Sequence, residues 1–313
     1  MSKLICIIGV LDVVGSTNIP MALSFAKQGY AVIPVNYRTI IGRFGMSFFE
    51  SHLLHICKTM KPELMLFSKC NGINSSIVEE CGKYTKTWLF NMDPKKTIER
   101  CMEVINHAKV SHFSSCTGVD IVEWFESFGV KNCYHIIQGT DSDVFKPVTP
   151  VEELHADISL IGSRNAERDR YKDFLTKLGY DVKFYGPGYS NEMVNSDFAK
   201  VCSSSKFMLS IDSESSQHKE YFSNRLVRYL SCGVCVLHLD PLHTLDKYFQ
   251  HGKEILYFDN EEMLHSLLQG TNEVGKIALS GRDRVLNTLT WDHTIKQILD
   301  RCGVSNKDVK EIL

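Results

Sequence analysis

Two stretches of this 313-residue sequence carry the residue types that bind anions. In Asp157-Ile-Ser-Leu-Ile-Gly-Ser-Arg164 an apolar run ends at Gly162-Ser163, and a helical pattern follows with Arg168 and Arg170 inside it. Glycine lets a ligand approach the backbone, and Ser163 is placed to cap the helix. Free amides at a helix start, with guanidinium groups beside them, make a diphosphate site. An ordinary strand–turn–helix with a solvated basic face has the same appearance. The second stretch runs from Lys219 to His238. A loop containing Glu220 leads into a helix opened by Ser223 or Asn224, with Arg225 in its first turn. A cation there opposes the helix dipole at a cost of about 0.3–1 kcal/mol, which a bound anion would offset. The alternative is that Arg225 and Arg228 simply face water.

Candidate proton acceptors are fewer. Asp93 closes Trp88-Leu-Phe-Asn-Met-Asp93, and Asp12 sits in the loop after the first strand. Either could deprotonate a hydroxyl. Asp93-Pro94 also reads as a turn and helix cap. His112 and His135 read as core or surface residues. The loop Gly15-Ser-Thr-Asn18 could cradle a sugar or phosphate through its amides, but it lacks G-x-G-x-x-G spacing, so no dinucleotide fingerprint is present. Cys232 and Cys235 form a lone C-x-x-C without two further ligands at suitable spacing, and no metal site is expected.

The elements that position these residues alternate. Strands are predicted over 3–9, 31–35, 64–67, 87–90, 110–114 and 132–137, with helices at 20–28, 48–59, 73–83, 97–105 and 119–128 between them. A turn-rich stretch, Gly139 to Pro150, follows. A second alternating series places strands at 157–161, 181–185, 206–211, 235–239 and 254–257, with helices at 166–178, 195–203 and 224–231. Repeated β-α alternation implies parallel sheets with helices on both faces. The expected division is 1–148 and 149–313, each part a doubly wound α/β domain. Ligands then bind beyond the carboxyl ends of strands, in the loops after Gly9, Phe90, Ile161, Tyr185 and Ile211 and in the cleft between domains.

Composition agrees with a folded chain: 43% hydrophobic, 23% charged, formal charge −2. No run of about 18 apolar residues exists, so no membrane span is expected. The apolar N-terminal run has strand length and is interrupted by Asp12, so it is not read as a signal peptide. Eleven cysteines, mostly inside apolar runs, are read as core thiols of a cytoplasmic protein.

The segment 223–262 resembles the C-terminal domain of group-1-like glycosyltransferases, in particular the spore-maturation glycosyltransferase family. The pieces that carry the resemblance are Arg225, Cys232-Gly233, Val234–Leu239, Leu245–Phe249, Gly252-Lys-Glu254, Ile255–Phe258 and Asp259–Glu262. Upstream it continues through Ile161-Gly-Ser-Arg164, Phe184-Tyr-Gly186 and the hinge-like Gly139-Thr-Asp-Ser-Asp-Val-Phe-Lys-Pro147. The resemblance implies the GT-B fold, two Rossmann-like domains facing across a cleft. It puts the donor in the C-terminal domain, the acceptor in the N-terminal one, and requires no essential metal or prosthetic group. It implies a nucleotide-sugar donor, a UDP-sugar first, held by Gly162, Ser163, Arg164, Arg168, Tyr185, Gly186, Asn224, Arg225 and Arg228. Retaining members carry two glutamates separated by seven residues. Glu220 fits the first, but Arg228 occupies the second, and a guanidinium cannot accept the ribose hydroxyl bonds that glutamate takes. The chain order also resembles the phage DNA β-glucosyltransferase, whose base lies one residue earlier than Asp93. Asp93 is therefore the expected base of an inverting transfer, with Asp12 as rival and Glu220 the place to look in a retaining one. Asn36-Tyr-Arg38 is expected on the acceptor side, and the last helix is expected to cross back to the first domain. The acceptor is a hydroxyl on a glycan, protein, small molecule or modified DNA base; no basic stripe singles out DNA, and the oligomeric state is open. A nucleotide-sugar 2-epimerase and a non-catalytic sugar-nucleotide binder are the other readings.

Overall fold

Leu4–Gly9 (β1) buries Ile5, Cys6, Ile7 and Ile8 completely, as a strand covered on both faces must. In the computed structural model, which describes residues 3–13, 15–189, 197–212 and 218–304, it is an inner strand of a parallel sheet. Its companions are Ala31–Asn36 (β2), Leu64–Ser68 (β3), Lys86–Phe90 (β4), Phe113–Cys116 (β5) and Cys133–His135 (β6), in the order β2-β1-β3-β4-β5-β6. A second parallel sheet holds Ala156–Ile161 (β7), Val182–Tyr185 (β8), Ser205–Ser210 (β9), Cys235–Leu239 (β10) and Leu256–Phe258 (β11), in the order β11-β10-β9-β7-β8. In each sheet the chain first adds a strand on one side and then reverses. The reversal falls between β1 and β3 in the first sheet and between β7 and β9 in the second, where open α/β sheets bind ligands.

The chain divides into two units, one of residues up to Ile137 together with those from Trp291 onward, the other Gln138–Thr290. The helix Trp291–Cys302 buries Trp291, Thr294, Ile295, Ile298, Leu299 and Cys302, an i, i+3, i+4 stripe. That stripe packs into the core of the first unit with Ile5, Ile7, Met21 and Phe25. Tyr30 donates its hydroxyl proton to the Val304 carbonyl, and Lys86 Nζ donates to the Cys302 carbonyl at 2.7 Å. The stretch Gln138–Val148, read from sequence as the end of the first domain, goes with the second unit. The Thr140 amide donates to Leu289, the Val148 amide to Ser203 Oγ, and Phe145 packs edge-on against Phe198 at 5.1 Å.

Local differences have local causes. The strand expected at 110–114 is displaced to Phe113–Cys116, because the helix Glu103–Val110 continues through Val110. The single helix expected over 97–105 is two, Lys95–Glu99 and Glu103–Val110, interrupted at Cys101-Met102. Tyr37–Phe44 is a helix that follows β2 directly, in a stretch to which the sequence assigns no element. Of the helix expected over 195–203, residues 195 and 196 lie outside the described residues, and Phe198–Ser204 is helical.

Candidate functional site

In the second unit, β7 ends at Ile161, and the residue that follows, Gly162, has no room for a side chain as the arginines are placed. A Cβ on it would lie 2.4 Å from Arg225 Nη1 and 2.8 Å from Arg168 Nη1, so two guanidinium groups pass directly over this backbone. Gly186, after β8, has φ +117°, and a Cβ there would come within 2.7 Å of the Gly162 carbonyl oxygen. The Gly162 amide donates to the Tyr185 carbonyl and the Arg164 amide to Pro187, so the loops after β7 and β8 are laced together. Tyr185 contributes this carbonyl while its ring is buried.

The four arginines take different directions. Arg168 is buried, donating from Nε and Nη2 to the Ile211 carbonyl at 3.1 and 2.7 Å and from Nη1 to the Ser163 carbonyl. It ties the end of β7 to the end of β9, and burial, with Arg225 nearby, lowers its pKa to about 10. Arg164 turns to the surface and pairs through Nε with Asp169 at 2.8 Å. Arg225 donates from Nη2 to Asp212 Oδ1 at 3.0 Å. Arg228 stacks 4.4 Å above the Phe145 ring, and burial and the Arg225 charge bring its pKa to about 10. Among the described residues its guanidinium has no hydrogen-bond acceptor.

Asp212 was not singled out from sequence, although it lies in the loop flagged after Ile211. Its side chain is 1% exposed. It accepts from the Ser223 amide at 2.9 Å, the Ser223 hydroxyl and Arg225. Burial pushes its pKa up, but the Arg225 charge and the Ser223 bonds outweigh this and hold it below the usual carboxylate value. The cation in the first turn of the helix Asn224–Ser231 is thereby countered inside the protein. Ser223 is the N-cap of this helix, yet its hydroxyl serves Asp212 rather than the helix amides. Asn224 begins the helix. Tyr229, also unforeseen, pins it to β7, its hydroxyl accepting from the Ile161 amide and donating to the Ile161 carbonyl. The expected Ser163 cap is a correction. Asn165 caps the helix Ala166–Lys177, its Oδ1 accepting from the Arg168 amide at 2.9 Å, and Ser163 is left exposed.

Glu220 holds a positive φ of 56°, and its amide donates to Thr244 Oγ1. Its carboxylate accepts from Tyr248 Oη at 3.0 Å and pairs with Lys247.

The two candidate bases, Asp12 and Asp93, follow strands β1 and β4 at the carboxyl edge of the first unit's sheet. Asp12 is exposed and accepts from Thr39 Oγ1 at 2.5 Å; this bond and one from Asn36 hold its pKa down. Asp93 pairs through Oδ1 with Lys69 Nζ at 2.5 Å, and Oδ2 has no partner among the described residues. It occupies the turn before Lys95–Glu99, whose N-cap is Pro94, so it does not cap that helix.

Among the described residues no group of three His, Cys, Asp or Glu side chains could hold a metal ion, and no helix is long and apolar enough to cross a membrane.

Residues 164–300 match the family described as glycosyl transferase-like. No curated protein sequence matches the chain. Among solved structures, HepE of Anabaena in complex with UDP is similar at a TM-score of 0.56 and 12% identity, over 97% of this chain and 100% of that one. The lipopolysaccharide outer core galactosyltransferase WaaB is similar at 0.54 and 9%, over 96% and 98%. A putative UDP-N-acetylglucosamine 2-epimerase from Listeria monocytogenes is similar at 0.55 and 11%, over 99% and 98%. These similarities establish the fold: two Rossmann-like parallel-sheet units of the GT-B class.

Proposed function

We propose that this chain, whose residues 164–300 carry a glycosyl transferase-like domain, moves a sugar from a UDP-sugar to a hydroxyl acceptor in the cytoplasm. The observation that carries this reading is the convergence over Gly162. Arg225 reaches that backbone from the first turn of one helix, at the reversal point of the second sheet. Arg225 lies within electrostatic reach of both Arg168 and Arg228, with Asp212 beside Arg168 and Asp141 beside Arg228. This excess of positive charge suits a diphosphate. The structural neighbour bound to UDP supports uridine as the nucleotide, and eleven free thiols suit a reducing compartment.

In this reading Arg225, the loop amide of Ser163 and the helix-opening amide of Asn224 bind the diphosphate, Arg168 holds the two strand ends in place, and Arg164 stays at the rim. Tyr185 and Gly186 shape the floor, and Arg228 offers its free donors to the nucleoside end. Asp93 is the base: Oδ2 takes the acceptor hydroxyl proton, the acceptor oxygen bonds to the anomeric carbon, and the bond from that carbon to the diphosphate oxygen breaks, releasing UDP. Asp12 is the rival base. Glu220, tied to Tyr248 and Lys247, becomes the place to look if the configuration is retained. The guanidinium groups stabilise the departing diphosphate, the role a divalent metal would otherwise fill.

Calorimetric titration with UDP tests this. Wild type should bind, EDTA should leave binding and transfer unchanged, and Arg225→Ala should raise Kd about tenfold or more. Unchanged UDP binding in that variant sinks the assignment. The epimerase reading has one observation in its favour, the similar fold of the Listeria protein. Formation of an epimerised sugar from UDP-N-acetylglucosamine without acceptor would select it.

A further inference from the structure

The turn that leaves β3 carries two side chains where its backbone suits glycine. Lys69 and Cys70 hold φ of 59° and 55°, and among the described residues they are the only adjacent non-glycine residues with positive φ. Glycine occupies that region freely, whereas a Cβ there crowds the following carbonyl oxygen. Neighbouring strand ends impose the conformation. The Lys69 amide donates to the Phe90 carbonyl at 3.0 Å, and the Cys70 amide to the Ser68 carbonyl at 2.7 Å. The buried Cys70 thiol donates to the Ile8 carbonyl at 3.4 Å, so Cys70 ties the turn to β1. The Lys69 side chain makes one polar contact among the described residues, its ammonium meeting Asp93 Oδ1 at 2.5 Å.

An ion pair this open, with side chains 33% and 20% exposed, contributes little to stability. Stability therefore does not account for a lysine at a position that suits glycine. Backbone strain that stability does not offset gathers at functional sites. What the contact does is fix a carboxylate. Asn91 holds the Asp93 main chain, its Nδ2 donating to the Asp93 carbonyl at 3.1 Å and its Oδ1 accepting from the Asp93 amide at 3.3 Å. Lys69 takes Oδ1, which stops the carboxylate from turning and leaves Oδ2 as the oxygen without a partner among the described residues. A base must hold one lone pair within hydrogen-bond reach of the proton it takes, and a misplacement of about 1 Å costs about 10²-fold.

We propose that Lys69 is a positioning residue of the transfer: it holds Asp93 by Oδ1 so that Oδ2 meets the incoming hydroxyl, and the left-handed turn is kept because it carries the ammonium there. This role rests on Asp93 being the base in the transferase reading above.

The test measures UDP release from UDP-glucose, UDP-galactose and UDP-N-acetylglucosamine by the full chain, first with water as acceptor and then with simple methyl glycosides. With water, one proton passes to Asp93 Oδ2, the water oxygen bonds to the anomeric carbon, and the bond from that carbon to the diphosphate oxygen breaks. Lys69→Gly should lower kcat about 10- to 100-fold and leave the donor KM within about twofold. Its melting temperature should be no lower than that of wild type, since glycine relieves the turn. Added to Asp93→Asn, Lys69→Gly should cost nothing further, because the carboxylate it orients is already gone. The positioning role falls, and the transferase reading stands, on any of three results: Lys69→Gly turns over like wild type, its loss of rate comes with a lowered melting temperature, or it loses the same factor beside Asp93→Asn. If Asp93→Asn turns over like wild type, Asp93 and Lys69 both leave the mechanism while transfer stands. If wild type releases no UDP from any donor, the transferase reading falls and the role of Lys69 falls with it.

Discussion

Asp212 shows how one buried carboxylate organises the charge around it. It holds Arg225 over Gly162 and takes both the amide and the hydroxyl of Ser223. Its folded-state pKa lies below the ordinary value of about 3.9, so its contribution to stability is present above that pH and is lost as pH falls through the lowered value. Asp212→Asn should therefore lower the melting temperature at pH 7, and the gap to wild type should shrink as both are acidified below pH ~4. Thermal melts across that range check it, and a constant gap would contradict the ionised role. In the first unit, Asp93→Asn should keep UDP affinity and lose transfer by about 10²–10⁴-fold. Rates of Asp93→Asn and Asp12→Asn, measured side by side, decide between the two. An active Asp93→Asn beside an inactive Asp12→Asn moves the base to Asp12.

The strand ends of the second sheet work as a unit, and two glycines there serve different ends. At Gly162 the atoms a methyl would meet belong to flexible guanidinium tips. Gly162→Ala should thus cost less stability than Gly186→Ala, displace Arg225 and weaken UDP binding. At Gly186 the obstacle is the Gly162 carbonyl, and φ is +117°. Gly186→Ala should destabilise the unit by about 1–3 kcal/mol. Denaturant midpoints set beside UDP titrations separate the two, and equal effects of both variants on stability would contradict this division.

Across the whole molecule, the chain leaves its first unit at Ile137 and returns to it at Trp291. The core of the first unit is thus completed by residues remote in sequence, with Trp291 packing edge-on against Phe90 at 6.1 Å. Ending the chain at Thr290 should expose Ile5, Ile7, Met21 and Phe25 to water and abolish the cooperative unfolding of the first unit. The second unit should keep slow amide exchange and UDP binding. Hydrogen-exchange mass spectrometry reads both at once. Protection of β1 and β3 that survives truncation would refute the dependence.

The β-α alternation and both arginine-bearing segments are legible in the sequence because apolar runs of strand length and helix-start chemistry are local properties. Every strand expected has a counterpart, and Gly162 and Arg225 are both among the residues the sequence singles out. The helix Tyr37–Phe44 is not legible, since no turn signal separates it from β2, which ends directly in it. Which arginine faces the strand end and which turns away is a matter of partners. Arg164 finds Asp169 five residues on, whereas Arg168 finds the Ile211 carbonyl 43 residues away. Asp212 is one aspartate among many until β9 ends beside β7 and brings it under Arg225. The sequence by itself determined the elements and the chemistry each could carry. The tertiary structure alone decided which of those groups meet, because a hydrogen bond between distant residues depends on where the intervening chain returns.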